Sequence, residues 1–164
     1  MRRLFMYVFI LIILCASSNY TFAMGPLDAP SQINKPAPKF SLYDLDTKWI
    51  ESSAFKGKKI VLFFWTTWCP YCRKSLVKLQ NQYPSITAQG IEVLGINIGE
   101  SGIKVKNFLK ANPVSFRVLL DSDTQIAEEY RIVGIPAYIL VSTDGNIKFF
   151  GNDLPANYKE VLGK

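Results

Sequence analysis

Two of the three cysteines, Cys69 and Cys72, stand three residues apart in Trp68–Cys69–Pro70–Tyr71–Cys72. That spacing admits three chemistries: half of a metal site, a structural cross-link, or a redox-active dithiol. A zinc site takes about four ligands. The chain has no histidine and its remaining cysteine is Cys15, far away in sequence, so a metal site within one chain is disfavoured. A disulfide closing so short a loop removes little entropy from the unfolded chain, which makes a purely structural bridge a poor explanation. Thiol–disulfide exchange is the chemistry left, with Cys69 and Cys72 as a redox-active pair needing neither metal nor cofactor. The absence of histidine also removes Ser-His-Asp and Cys-His nucleophilic catalysis.

Such a pair must be held at the start of a helix. Pro70 suits the first helical position, because it has no N–H to leave unpaired. Cys69 then lies at the helix N-terminus, where free amides and the macrodipole stabilise a thiolate. Cys72 falls one turn deeper on the same face, close enough to close a disulfide. The division of labour expected is an exposed nucleophile, Cys69, and a sheltered resolving thiol, Cys72.

The flanking segments read as alternating strands and helices. Ile60 to Trp65 is an unbroken apolar run, as in a strand buried on both faces. Leu76, Leu79 and Tyr83 then fit a helical face ending near Pro84. Ile91–Ile98 is a second buried strand, and Ile103–Ala111 a helix with Val105, Phe108 and Leu109 inward. Phe116–Leu120 is a short strand, after which Asp121 or Ser122 caps a helix through Tyr130. Ala137–Val141 is a third core strand, joined through Asp144–Gly145–Asn146 to a strand at Ile147–Phe150. A short helix begins near Pro155. Ahead of all this, Phe40 to Ile50 reads as a hairpin. The order implies an α/β domain, a mixed central sheet flanked by helices.

Composition sets the remaining bounds. The 164 residues make about one domain, and 49% apolar with 20% charged residues excludes wholesale disorder. A net charge of +6 is mild and scattered, and does not read as a nucleic-acid footprint. Met1–Arg2–Arg3, the apolar run Leu4–Leu14 and Thr21–Phe22–Ala23 have the layout of a secretory signal peptide over 1–23. The run is short of the ~20 residues of a spanning helix, although an uncleaved anchor is a second reading. Lipidation at Cys15 is a third, weakened by the bulky Leu14 before it. All three place the rest outside the cytoplasm, in a periplasm or on the outer side of the cytoplasmic membrane. Residues 24–35 read as a linker and 36–164 as the folded domain, expected to be a monomer.

From Pro36 onward the sequence resembles the thioredoxin superfamily, and within it the TlpA/ResA-like extracytoplasmic thiol-disulfide oxidoreductases. Phe64–Trp65–Thr66–Thr67–Trp68–Cys69–Pro70–Tyr71–Cys72 looks like the active-site strand and turn. Gly134–Ile135–Pro136 looks like the cis-proline loop, and Asn97–Ile98–Gly99–Glu100–Ser101 is similar to the central segment of the ResA-like branch. Pro38–Lys39–Phe40 to Lys56–Gly57–Lys58 matches the N-terminal hairpin. The resemblance implies a thioredoxin-like fold with an N-terminal β-hairpin and a central βαβ-type insertion. It also implies client binding by Trp68, Pro70, Tyr71, Ile135 and Pro136, the last in a cis bond that lets Ile135 pair with an extended peptide. The implied clients are cysteine-containing extracytoplasmic proteins, apocytochrome c among them, with a membrane thiol reductant resupplying electrons.

Two positions depart from the pattern. Thioredoxins carry a buried acid where this chain has Phe63, and ResA-like proteins often carry a glutamate where it has Ser75. Glu100 is then the candidate acceptor for the proton of Cys72. Cys-Pro-Tyr-Cys is also the glutaredoxin tetrapeptide, though Trp68 and the hairpin favour the ResA-like reading. The rival enzyme is a peroxiredoxin-type peroxidase, for which Thr66 fits but Leu62 replaces the required proline. A disulfide-donating oxidase is the other alternative. A Sco-type copper carrier needs a histidine. Trp49 and Trp65 are expected in the core, and Trp68 beside the thiols.

Overall fold

In a computed structural model, the structure describes residues 32–163. The leader, Cys15 and most of the expected linker lie outside them. The described elements are β1 (Ser41–Asp44), β2 (Trp49–Glu51), β3 (Lys59–Trp65), α1 (Pro70–Thr87), β4 (Ile91–Ile98) and α2 (Gly102–Ala111). There follow β5 (Arg117–Asp121), α3 (Gln125–Glu129), β6 (Ala137–Val141), β7 (Ile147–Gly151) and α4 (Tyr158–Val161). The strands form one seven-stranded sheet in the order β2-β1-β5-β4-β3-β6-β7. β3, β4 and β5 run parallel, while β6 lies antiparallel to β3 and the β1–β2 hairpin extends the sheet beyond β5. This is the mixed sheet of a thioredoxin-like fold.

β3 shows why its sequence is apolar throughout. Side chains alternate across a strand, so Val61, Phe63 and Trp65 enter one core while Ile60, Leu62 and Phe64 enter the other. The first core is closed by Cys72, Leu76 and Leu79 of α1, Val105 of α2 and Tyr158 of α4. The second is closed by Ile126 and Ala127 of α3 with Phe40, Leu42 and Ile50 of the hairpin. Among the described residues no helix is long and apolar enough to cross a membrane.

Four details differ from the sequence reading. α1 runs on through Pro84 to Thr87. The proline forfeits one hydrogen bond, but Ile86 two residues later is fully buried, worth about 1.5–3 kcal/mol. Thr87 Oγ1 donates to Tyr83 O (3.0 Å) and Ser85 Oγ to Gln82 O (2.8 Å), which fastens the extra turn. Asp121 does serve α3, but from the end of β5. Its carboxylate accepts the amides of Ile126 and Ala127, while Thr124, at φ +66°, makes the actual turn into the helix. Trp49 is half exposed on the short edge strand, packed edge-on against Tyr43 at 4.7 Å instead of in the core. Residues 32–35, expected in the linker, are fastened to the body. Gln32 donates to Tyr130 O, and Asn34 N to Ile147 O at 2.7 Å.

Gly95, in the middle of β4, allows two aromatic side chains to approach the strand closely. A Cβ there would meet Phe116 Cε2 at 2.9 Å and Trp65 Nε1 at 3.2 Å. Gly95→Ala is therefore expected to destabilise the protein by about 1–3 kcal/mol, read as a lower urea midpoint at unchanged slope. An unaltered midpoint would mean that Phe116 can swing aside at no cost.

Candidate active site

β3 delivers the chain to the thiols, and α1 receives it. Cys69 is the residue just before the helix, with extended backbone, and Pro70 takes the first helical position. The amide of Cys72 donates to Cys69 Sγ at 3.2 Å, so a free helix-terminal N–H points at the reacting sulfur. Cys69 Sγ in turn lies 3.8 Å from Ile135 O, to which it donates. Cys69 is 5% accessible, less than expected of a nucleophile, whereas Cys72 is wholly buried. The exposed groups are the neighbouring rings, Trp68 at 62% and Tyr71 at 71%. Both cysteines are free thiols.

The loop carrying Ile135 and Pro136, which leads into β6, meets Cys69 through Ile135 O. Their peptide bond is cis, and Asn152 Nδ2 donates to Pro136 O at 2.9 Å. Pro136 is buried and Ile135 partly so. The structure thus brings together Trp68, Cys69, Pro70, Tyr71, Cys72, Ile135 and Pro136.

Cys72 sits in an aromatic setting. Phe63, at the position where an acid would stand in thioredoxins, lies 4.9 Å from the ring of Tyr138 and stacks parallel to Trp65 at 6.3 Å. Burial pushes the Cys72 thiol up to about 12, reinforced by its hydrogen bond to Cys69 and the charge there, against a lowering contribution from the Thr66 backbone. Among the described residues no carboxylate is hydrogen-bonded to Cys72. Trp65 is fully buried, as the sequence suggested.

Glu100 is buried beneath the active-site turn, where four donors converge on its carboxylate. Thr67 N (2.6 Å) and Asn97 Nδ2 (2.9 Å) reach Oε2, while Thr67 Oγ1 (2.7 Å) and Lys104 Nζ (2.8 Å) reach Oε1. Burial alone would raise its pKa, but the bonds from Lys104, Thr67 and Asn97 outweigh that and hold it below the ordinary value. An acid so held is a weak base, and its bonds are made to Thr67 and not to Cys72. Arg73 Nε adds a bond to Thr67 O at 2.8 Å. The turn before Cys69 is therefore fixed on both its polar backbone groups. Thr66 Oγ1, which a peroxidase would aim at its cysteine, is buried without a partner.

Sequence reasoning missed Thr67, Asn97, Arg73, Lys104 and Asn152. One signal was available for Asn97. It is a polar residue next to the end of a strand that is apolar from Val93 to Ile96, and buried polar groups need partners. Among the described residues no three His, Cys, Asp or Glu side chains converge as a metal site requires.

The pattern that defines the AhpC/TSA family matches residues 33–150. The chain belongs to that family. Within it, the chain is 38% identical over 148 residues to the thiol-disulfide oxidoreductase ResA of Bacillus subtilis, covering 89% of this chain and 83% of that one. It is 35% identical over 167 residues to ResA of Bacillus thuringiensis, covering 99% and 96%. Among solved structures, StoA from Bacillus subtilis superposes with a TM-score of 0.63 at 29% identity, covering 74% of this chain and 92% of that one. The thioredoxin domain of a Bacteroides vulgatus thiol-disulfide oxidoreductase gives 0.68 at 25% identity, covering 79% and 91%. This AhpC/TSA member is a ResA-like thiol-disulfide oxidoreductase of thioredoxin-like fold, and these relatives do not favour the peroxidase alternative.

Glu100→Gln keeps the shape of the clamp and removes its charge. It is expected to destabilise the protein by about 1–3 kcal/mol at neutral pH, measured by urea unfolding. Because the folded carboxyl is held below its unfolded value of about 4.3, its contribution is present above that pH. It is lost as pH falls through the folded value. The gap between wild type and Glu100→Gln should accordingly close on acidification, and a gap that widened instead would contradict the clamp.

Proposed function

We propose that the Cys69–Cys72 pair reduces disulfides in extracytoplasmic client proteins, with apocytochrome c cysteines as the leading client and a membrane thiol reductant as electron source. The observation carrying this reading is the asymmetry of the pair. One sulfur meets a helix-terminal amide among exposed rings, and the other is sealed behind it. A client strand would lie along the Ile135 backbone, between Trp68, Tyr71, Pro70 and Pro136. The signal-like layout of residues 1–23 supports a location in a periplasm or on the outer face of the cytoplasmic membrane.

In the first step the Cys69 thiolate attacks one client sulfur, the client S–S bond breaks, and the other client sulfur leaves as a thiolate that takes up a proton. Cys72 then loses its proton and attacks Cys69 Sγ, breaking the mixed disulfide and releasing the second client thiol. Two electrons pass to the client, and Cys69 and Cys72 end as a disulfide. Two of the influences that raise the Cys72 pKa, the hydrogen bond and the charge of Cys69, vanish once Cys69 is bonded to client. Formation of the mixed disulfide thus eases the ionisation that resolves it. In this scheme Glu100 holds the turn, and the proton of Cys72 passes to water or the departing thiolate.

Cys69→Ser should reduce turnover to background, and Cys72→Ser should accumulate mixed disulfides with clients, seen on non-reducing gels. In single-turnover measurements on the wild type, release of the mixed disulfide should quicken about tenfold per pH unit through neutrality. Levelling well below the free-thiol value of about 8.5 would reveal a dedicated base for Cys72.

Direction is tested by the reduction potential, measured against glutathione or dithiothreitol mixtures. A value between about −200 and −270 mV is expected. One near −120 mV would replace the reductase with a disulfide donor.

A further inference from the structure

The segments that frame the thiols are unevenly charged. From Trp65, at the end of β3, to Gly90 the chain has no Asp or Glu but carries Arg73, Lys74 and Lys78. Tyr130 to Thr143, which includes the cis-proline loop, has Arg131 and no acid. Arg73 is fixed beside the active-site turn by its bond to Thr67 O, and Lys74 Nζ stands 6.0 Å from the centre of the Tyr71 ring. Glu100 is buried and matched by Lys104, and Asp153 lies 3.5 Å from Lys78. The exposed carboxylate of Asp123, in the turn after β5, accepts the amide of Gln125 at 3.4 Å. A client approaching Cys69 therefore meets the rings of Trp68 and Tyr71 edged by unmatched cations.

We infer that the protein selects client cysteines flanked by acidic residues, which Arg73 and Lys74 attract while Trp68 and Tyr71 cover the apolar part of the segment. The inference rests on the exchange reaction proposed above and specifies the chemistry of its substrate. The attraction acts within the screening length of about 8 Å at physiological salt, hence on residues close to the reacting cysteine. A carboxylate beside the client sulfur makes it a poorer leaving thiolate. Faster exchange with an acidic client must then come from docking and not from intrinsic reactivity.

The test uses the reduced full chain in neutral detergent and three peptide disulfides, identical except that Asp, Ser or Lys flanks the cysteines. Each exchange rate is divided by that of the same peptide with dithiothreitol, which removes intrinsic reactivity. At low salt the Asp peptide should react about tenfold faster than the Lys peptide, with the Ser peptide between them. The ratio should fall towards one in ~0.5 M sodium chloride. Lys74→Glu should cut the low-salt ratio by about threefold or more. Brisk exchange at equal rates for all three peptides, or a preference for the Lys peptide, would overturn the charge selection and leave the reductase standing. No exchange with any peptide, the neutral one included, would overturn the reaction itself.

Discussion

A carboxylate removed from water must find donors for its oxygens, and Glu100 finds them on three separate pieces of chain. Thr67 belongs to the turn leaving β3, Asn97 to the end of β4 and Lys104 to the first turn of α2. Each piece could settle in several positions by apolar packing alone, because hydrophobic contact has no direction. The charge-assisted bonds select one. Cys69 follows Thr67 by two residues, so the placement of the reacting sulfur against Ile135 O descends from this buried charge.

The same site combines two dielectric regimes. Around Glu100 the interior is polar, and both carboxylate oxygens are partnered. Around Cys72 it is aromatic, with Phe63, Trp65 and Tyr138. One environment keeps an acid ionised and the other keeps an acid protonated. The resting dithiol can therefore hold its inner proton until a client occupies the outer sulfur, which limits idle closure of the disulfide. The parallel β3–β4 pair makes this arrangement, since the residues at its ends, Trp65 and Asn97, stand opposite each other in register.

Much of this was legible in the residues. β6 was read at its observed bounds because five apolar residues between turn signals leave little choice of element. The helix start at Pro70 was equally plain, from a proline that fits only the first turn. What escaped depended on distant partners. Nothing local tells Thr67 from Thr66, yet one is clamped by Glu100 and the other has no partner. Pro84 would end most helices, and the burial of Ile86 with the side-chain bonds of Ser85 and Thr87 carries the chain past it. Trp49 is apolar enough for a core, but a three-residue edge strand alternates faces, and Ile50 takes the inward one. Glu100 was singled out by resemblance, while its partners became visible only with the fold.

The way the chain enters the fold has a directional consequence. Lys35 and Asn34 exchange backbone hydrogen bonds with Ile147, and Ala37 donates to Gly145. That turn follows β6, whose last residue, Val141, lies beside Ile60, while Ala137 at its start lies beside Phe64 near the thiols. The N-terminal entry and the reacting sulfur thus occupy opposite poles of the sheet, separated by the length of β3, about 20 Å. Residues 34–37 are fastened at the rear pole. A surface holding that end would see the sulfur directed outward, and a client moored to the same surface would need a reach of at least that length to meet it.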